Sequence, residues 1–187
     1  MPVEYQETHK DLQTRIDIHG QFGSRDIDAW MLEVLKPERG IRILDVGCGS
    51  GKQLAAFHQY LDGEASIVGG DISAELLNEA RVLATELGES VQIVELDFNR
   101  KFDFPDDQFD LVSCCFAIYY SSDIPLTIGE MWRVLKPGGR LFTTGPLPEN
   151  KQLFYDVIRM ATGVEIPPMP GSSRYDSEIL DEMRSRF

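Results

Sequence analysis

The sequence of 187 residues predicts an α/β fold, with a doubly wound, mostly parallel sheet and helices on both faces. Three observations lead there. Short β-branched, apolar runs alternate with segments whose apolar residues recur at helical spacing. Gly, Pro, Asp and Ser punctuate the junctions, and no internal repeat or low-complexity stretch breaks the alternation.

The elements follow in order. Ile27, Trp30, Met31, Val34 and Leu35 lie on one helical stripe, with Ser24 as the expected N-cap and Pro37 as the stop. IRILDV (41–46) is the first strand, ending at Gly47, and GKQLAAFHQYL (51–61) is the helix after it. SIVGG, ending at Asp71, is the second strand; Ser73 caps the helix AELLNEARVLATEL (74–87), which Gly88 terminates. VQIVEL (91–96) is the third strand. Beyond the loop 97–108 come the apolar run FDLVSCCFAIYY (109–120) and a helix over about 123–135 with Pro125 in its first turn. The strand GRLFTTG (139–145) follows. Past Pro146, helical segments over about 149–161 and 177–184 flank the Pro/Gly-rich stretch EIPPMPGSS, which reads as an irregular cover.

Charge and cysteine usage narrow the partners. Thirty-one acids against 18 Lys and Arg give a net charge of −13. Affinity for nucleic acid rests on cations that neutralise phosphates, so no nucleic-acid partner is expected. The acidity suits small or cationic partners, or serves solubility alone. Cys48, Cys114 and Cys115 cannot all pair, and the adjacent two point to opposite faces of a strand, which implies a reduced, cytoplasmic setting. No run approaches the roughly 18 apolar residues that span a bilayer, and the polar start lacks a signal-peptide core, so no membrane association is expected.

The turn after the first strand carries the chemistry. Glycines there let backbone approach a ligand and aim the next helix N-terminus at it. Gly47, Gly49 and Gly51 give G-x-G-x-G, whereas a dinucleotide fingerprint needs G-x-G-x-x-G. A phosphate-cradling loop ending in Gly51-Lys52 would place its first glycine on Val46, and Gln53 stands where Ser or Thr should bind magnesium.

ILDVGCGSG (43–51) resembles the first motif of class I S-adenosylmethionine-dependent methyltransferases of the small-molecule type, and the family's other parts follow in order over roughly the first 145 residues. The resemblance implies a Rossmann-like methyltransferase fold with S-adenosyl-L-methionine as cofactor and S-adenosyl-L-homocysteine as product. It implies that Asp45 and the backbone of Gly47, Cys48, Gly49 and Gly51 face the methionine part. Asp71 would take the ribose hydroxyls, with Ile72 beside the adenine. Asp97 would accept from the adenine amino group, and Phe98 would lie against the ring or donate its amide. A carbonyl near Cys115 or Phe116 would hold the methionine amino group. RIDIHGQFGS (15–24) is similar to a segment that closes over the cofactor in small-molecule relatives, so Arg15, His19 and Phe22 would hold the carboxylate or cover the site.

Tyr119, Tyr120 and His19 are the titratable groups expected near the methyl as a general base; both tyrosines could equally pack beneath a lid, and His19 could be an exposed turn residue. The Asn-Pro-Pro-Tyr type of motif used on planar nitrogens is absent where SCCFAIYY stands, and three scattered histidines offer no metal site. A small-molecule acceptor is the remaining expectation. The alternatives are a non-catalytic S-adenosylmethionine-binding module or partner subunit, and an NAD-dependent enzyme. The chain is expected as a single domain, 1–187: a helical cover over 1–40, a cofactor-binding core over 41–146 and truncated helical segments over 147–187. The family's last two strands are missing from the pattern, so the fifth strand is expected as an open edge through which the chain forms a homodimer.

Overall fold

A computed structural model of the chain describes residues 14, 17, 18, 20, 21, 23, 25–149, 152–167 and 170–186. Five strands form one sheet: β1 (Arg42–Val46), β2 (Ser66–Asp71), β3 (Val91–Glu95), β4 (Phe109–Cys115) and β5 (Leu135–Thr144). The order is β3-β2-β1-β4-β5, and every neighbouring pair is parallel. The chain therefore works outward from β1 to β3, then crosses back to place β4 on the other side of β1. That reversal creates a crevice at the C-terminal ends of β1 and β4, where open α/β sheets bind ligands.

Side chains alternate along β1 and divide the core in two. Ile43 packs with Leu32 and Leu35 of α1 (Ile27–Leu35), Leu54 and Phe57 of α2 (Lys52–Tyr60), and Ala84 of α3 (Ala74–Leu87). Leu44 and Val46 pack with Ile128, Met131 and Val134 of α4 (Ile124–Val134), on the opposite face. The sheet is doubly wound, as the alternation of elements predicts.

Most boundaries agree with the sequence pattern, and a few do not. The N-cap of α1 is Asp26, whose Oδ1 accepts from Ala29 N at 2.8 Å; Ser24 lies outside the described residues. Strand β4 stops at Cys115, and Ile118–Tyr120 form a 3₁₀ turn instead of prolonging the apolar run. Residues 136–138, left between the expected helix and the strand from 139, belong to an irregular stretch inside β5. Phe109 pairs with Leu135 and Leu111 with Arg140, so two steps on β4 face five on β5. Among the described residues β5 is an edge of the sheet.

Loop 102–106 is held by α4. Glu130 Oε2 accepts from Phe102 N at 2.8 Å, and Arg133 donates to the carbonyls of Phe102 and Phe104 at 3.0 and 2.8 Å, to Glu130 at 2.6 Å and to Asp106 at 2.7 Å. The guanidinium holds the Glu130 carboxyl below its ordinary range. Arg133→Met would leave Glu130 and two carbonyls without this partner. The expected loss is about 3 kcal/mol in urea unfolding, the low end for breaking a buried pair, since Arg133 keeps partial solvent access.

The C-terminal part comprises α5 (Gln152–Thr162), α6 (Pro170–Arg174), a π-helical turn (Tyr175–Ile179) and α7 (Leu180–Arg186). The last three run on without a break, so the final helix begins at Pro170, ahead of the expected 177. Its start is pinned to the core: Arg174 Nη1 donates to the carbonyls of Tyr119 and Ser121 at 2.8 Å each, and Tyr175 OH bonds Thr143 Oγ1 at 2.9 Å. Tyr175 and Ile179 are buried with α4. Among the described residues no helix is long and apolar enough to cross a membrane.

Candidate functional site

Three acids stand at or just past the ends of the first three strands, and the glycine turn joins two of them. Gly47, Gly49 and Gly51 all take positive φ, at 75°, 56° and 91°. Gly47 N and Cys48 N donate to Gly70 O at 2.7 and 3.0 Å, and Gly49 N donates to Asp71 Oδ2 at 2.9 Å. The turn is thereby stapled to the end of β2. Asp71 Oδ1 accepts from Ser73 N at 2.9 Å, so one carboxylate fixes both the glycine turn and the entry to α3. Each of its oxygens keeps a lone pair. Gly51 is the N-cap of helix α2 and offers no side-chain cap, leaving the amides of the first turn from Lys52 as donors.

Asp45, the last but one residue of β1, is buried. In the parallel register it sits opposite Ser113 of β4, whose Oγ donates to Asp45 Oδ1 at 2.7 Å. Burial pushes the Asp45 carboxyl up to about 7; the hydroxyl bond works against this rise, and the carboxylates of Asp71 and Asp28 add to it. Burial also disfavours the thiolate forms of the cysteines beside it. Burial raises the Cys48 thiol far above its ordinary value and the Cys115 thiol to about 12.

The remaining wall is aromatic and aliphatic. Ile72 is 59% exposed immediately after Asp71. A side chain on Gly47 would meet Ala117 Cβ at 2.5 Å and the Phe98 ring at 4.0 Å, so these three lie together. Phe98 O accepts from Thr127 Oγ1 at 2.9 Å. Asp97 Oδ1 accepts from Asn99 N at 2.9 Å and its Oδ2 pairs with the exposed Arg100 at 3.1 Å, a surface pair that little opposes another partner. Phe116 takes φ 56°, its amide donating to Thr144 O at 2.9 Å, and its ring is 40% exposed. Such a backbone is uncommon outside glycine and gathers at functional sites.

The tyrosines separate. Tyr119 is buried in the core beneath α6, its ring aimed inward by the 3₁₀ turn, which is the packed one of its two expected places. Tyr120 is half-buried, its ring centroid 4.6 Å from that of Tyr119. Arg15, His19 and Phe22 lie outside the described residues. Among the described residues no three His, Cys, Asp or Glu side chains converge to hold a metal ion.

Sequence reasoning missed three contributors. Ser113 is 68 residues from Asp45, and only the register joins them. Ala117 must be small to face Gly47. Asn99 Oδ1 accepts from Ser122 N at 2.7 Å and from Ser122 Oγ at 2.9 Å, clamping the loop after β3 to the loop after β4.

An order-reversing parallel sheet with this stapled glycine turn defines the class I S-adenosylmethionine-dependent methyltransferase fold. The sequence pattern of the methyltransferase domain family matches residues 43–139, more than half of the chain, and the chain belongs to that family. The nocamycin O-methyltransferase of Saccharothrix syringae is 30% identical over 124 residues, 66% of this chain and 44% of the relative. A ubiquinone/menaquinone biosynthesis C-methyltransferase of Methylococcus capsulatus is 35% identical over 124 residues, 65% of this chain and 48% of the relative. The chain thus spans about half the length of the curated relatives it matches. The crystal structure of an S-adenosylmethionine-dependent methyltransferase from Mesorhizobium loti superposes with a TM-score of 0.54 and 28% identity, over 65% of this chain and 55% of that one.

Proposed function

We propose that the chain transfers the methyl group of S-adenosylmethionine to a small-molecule acceptor. The observation that carries this is the Gly49–Asp71 staple beside the buried Asp45: two carboxylates flank a positive-φ glycine turn at the reversal of strand order. These residues fit the cofactor. Asp71 retains acceptor capacity for two ribose hydroxyls, Ile72 and Phe98 would offer apolar surface to the adenine, and Asp97 would accept from its amino group. Asp45 faces the cationic methionine end, and the open amides at the start of α2 suit its carboxylate. A carbonyl at Cys115 or Phe116 would take the ammonium group.

When bound, S-adenosylmethionine supplies a methyl group already activated by its sulfonium. The chain's own residues then need mainly to align acceptor and carbon, and positioning can supply roughly 7–11 kcal/mol of the barrier. Tyr120 is the described tyrosine left as a base for a hydroxyl or amine acceptor.

Titration with S-adenosylhomocysteine tests the cofactor. At 100 times Kd it should stabilise the fold by about 2.7 kcal/mol, a rise in Tm of about 5–10 °C for a chain of this size. NADH and ATP should give no shift; a shift with NADH alone overturns the proposal. Labelled methyl transfer to a metabolite panel then separates an enzyme from a binding module, which would bind and not turn over.

A further inference from the structure

Residues 97–100 form one tight turn past the end of β3: Asn99 N donates to Asp97 Oδ1 at 2.9 Å, and Arg100 N donates to Asp97 O at 3.1 Å. Two anchors fasten this turn to the segment after β4. Asn99 Oδ1 accepts from Ser122 N at 2.7 Å and from Ser122 Oγ at 2.9 Å, and Phe98 O accepts from Thr127 Oγ1 at 2.9 Å.

The supply of hydrogens fixes the direction of the network. A backbone amide only donates, so the oxygen of the Asn99 side chain, not its nitrogen, faces Ser122. Thr127 Oγ1 lies 2.9 Å from Phe98 O and 3.1 Å from Asp123 O, and carbonyls only accept, so its hydrogen goes to one of them. Ser121 Oγ, 2.7 Å away, therefore donates to Thr127, and it accepts from Asp123 N at 3.0 Å. With the Ser121 hydrogen engaged there, the donors to Asn99 come from Ser122.

The segment after β4 is the fixed partner in this pairing. Ser121 and Thr127 are fully buried, and the largely buried Arg174 donates to the carbonyls of Tyr119 and Ser121 at 2.8 Å each. The turn 97–100 carries instead the exposed Arg100. Its carboxylate has Oδ1 engaged by Asn99 N, which directs further donors to Oδ2.

We propose that Asn99 is a positioning residue that sets the nucleobase specificity of the site: its amide orients Asp97 and its side chain ties the turn to Ser122, so that Asp97 is held for a purine 6-amino group. This rests on the proposed cofactor and deepens it, naming what makes the site choose adenine over an oxo-purine. A carboxylate accepts from a 6-amino group, whereas a 6-oxo group sets acceptor against acceptor. A loose turn would let the carboxylate swing to the N1–H that an oxo-purine carries. Rigidity of the turn, and not the acid alone, therefore makes the choice.

Calorimetric titration with S-adenosylhomocysteine and with its 6-oxo analogue S-inosylhomocysteine reads the choice as a ratio of affinities. Wild type should favour the amino form about 30-fold, within the range for a hydrogen bond to a charged group. Asn99→Ala should cut the ratio to about threefold, and Asn99→Asp, which keeps the acceptor for Ser122, should hold it above about tenfold. Ser122→Ala removes one donor of two and should fall between wild type and Asn99→Ala. A merely structural role would weaken both ligands alike and leave the ratio unmoved. In an Asp97→Ala background Asn99→Ala should change the ratio no further, because Asn99 acts through that carboxylate.

Asn99 is half-buried in a loop and Ser122 is exposed, so both truncations should fold. A wild-type ratio in Asn99→Ala overturns the proposal, as does a further drop in the Asp97→Ala background. If Asn99→Ala does not fold, an unchanged ratio in Ser122→Ala overturns it. Wild type that binds both ligands equally overturns this proposal alone. Wild type that binds no S-adenosylhomocysteine overturns the cofactor proposal and this one with it.

Discussion

Alanine at Gly49 is expected to lower S-adenosylhomocysteine affinity about 100-fold or more while removing only about 1–2 kcal/mol of stability, the cost of a side chain in the left-handed region. A Cβ there meets nothing nearer than Leu76 Cδ1 at 4.0 Å, so the protein itself has room for it. What the methyl group occupies is the space above the turn where the proposed cofactor would pass. Gly47→Ala makes the contrast. Its φ is 75°, and its Cβ would fall 2.5 Å from Ala117 Cβ, so overpacking of about 1–3 kcal/mol adds to the backbone cost. A domain stable by 5–15 kcal/mol, the usual range, still folds under that load. Gly47→Ala should therefore lose stability and affinity together, whereas Gly49→Ala loses affinity almost alone. Urea unfolding and calorimetric titration of both variants separate the effects, and wild-type affinity in Gly49→Ala would remove the turn from the cofactor site.

The parts of the site legible in sequence are those fixed by neighbouring residues. Ser73 and Gly88 bound α3 because caps act over one turn, and the G-x-G-x-G spacing announces its turn because positive φ selects glycine locally. Asp71 and Asp97 stand at or just past strand ends, but only the resemblance implies their part toward a cofactor. What stayed hidden depends on register and long-range packing. Nothing near Asp45 announces that Ser113 faces it, because that pairing is set by β1 lying against β4. The fate of the two tyrosines turned on a single 3₁₀ turn that rotates Tyr119 into the core. FDLVSCCFAIYY hides the turn because an apolar strand and an apolar turn under a helix look alike in composition. The exposed stripe of α5 is equally unreadable: its spacing is that of any core-facing helix, and only its exposure among the described residues distinguishes it.

The buried Asp45 gives the second large effect, on stability and affinity together. Unfolded, its carboxyl titrates near its ordinary 3.8; folded, it titrates near 7. Below pH 3.8 both states hold the proton and Asp45 costs nothing. Between 3.8 and about 7 the native state keeps a proton that the unfolded state releases, so stability falls as pH rises, and it levels off above 7. At about 1.4 kcal/mol for each tenfold, that gap amounts to about 4 kcal/mol. Asp45→Asn keeps an acceptor for Ser113 and removes the charge. It should therefore gain a few kcal/mol over the wild type at pH 8, nothing at pH 4, and lose the slope between, as urea unfolding at several pH values will show. Affinity should move the opposite way. A cationic ligand favours ionised Asp45, so S-adenosylmethionine should bind wild type about tenfold more tightly at pH 8 than at pH 6. The ligand's own amine titrates as well, so the share due to Asp45 is the part that Asp45→Asn abolishes. A variant that keeps the full pH dependence of binding would place the cation elsewhere. A variant both more stable and weaker in binding at pH 8 would mean that Asp45 holds a charge the fold alone disfavours, and that the cofactor's cation offsets its cost.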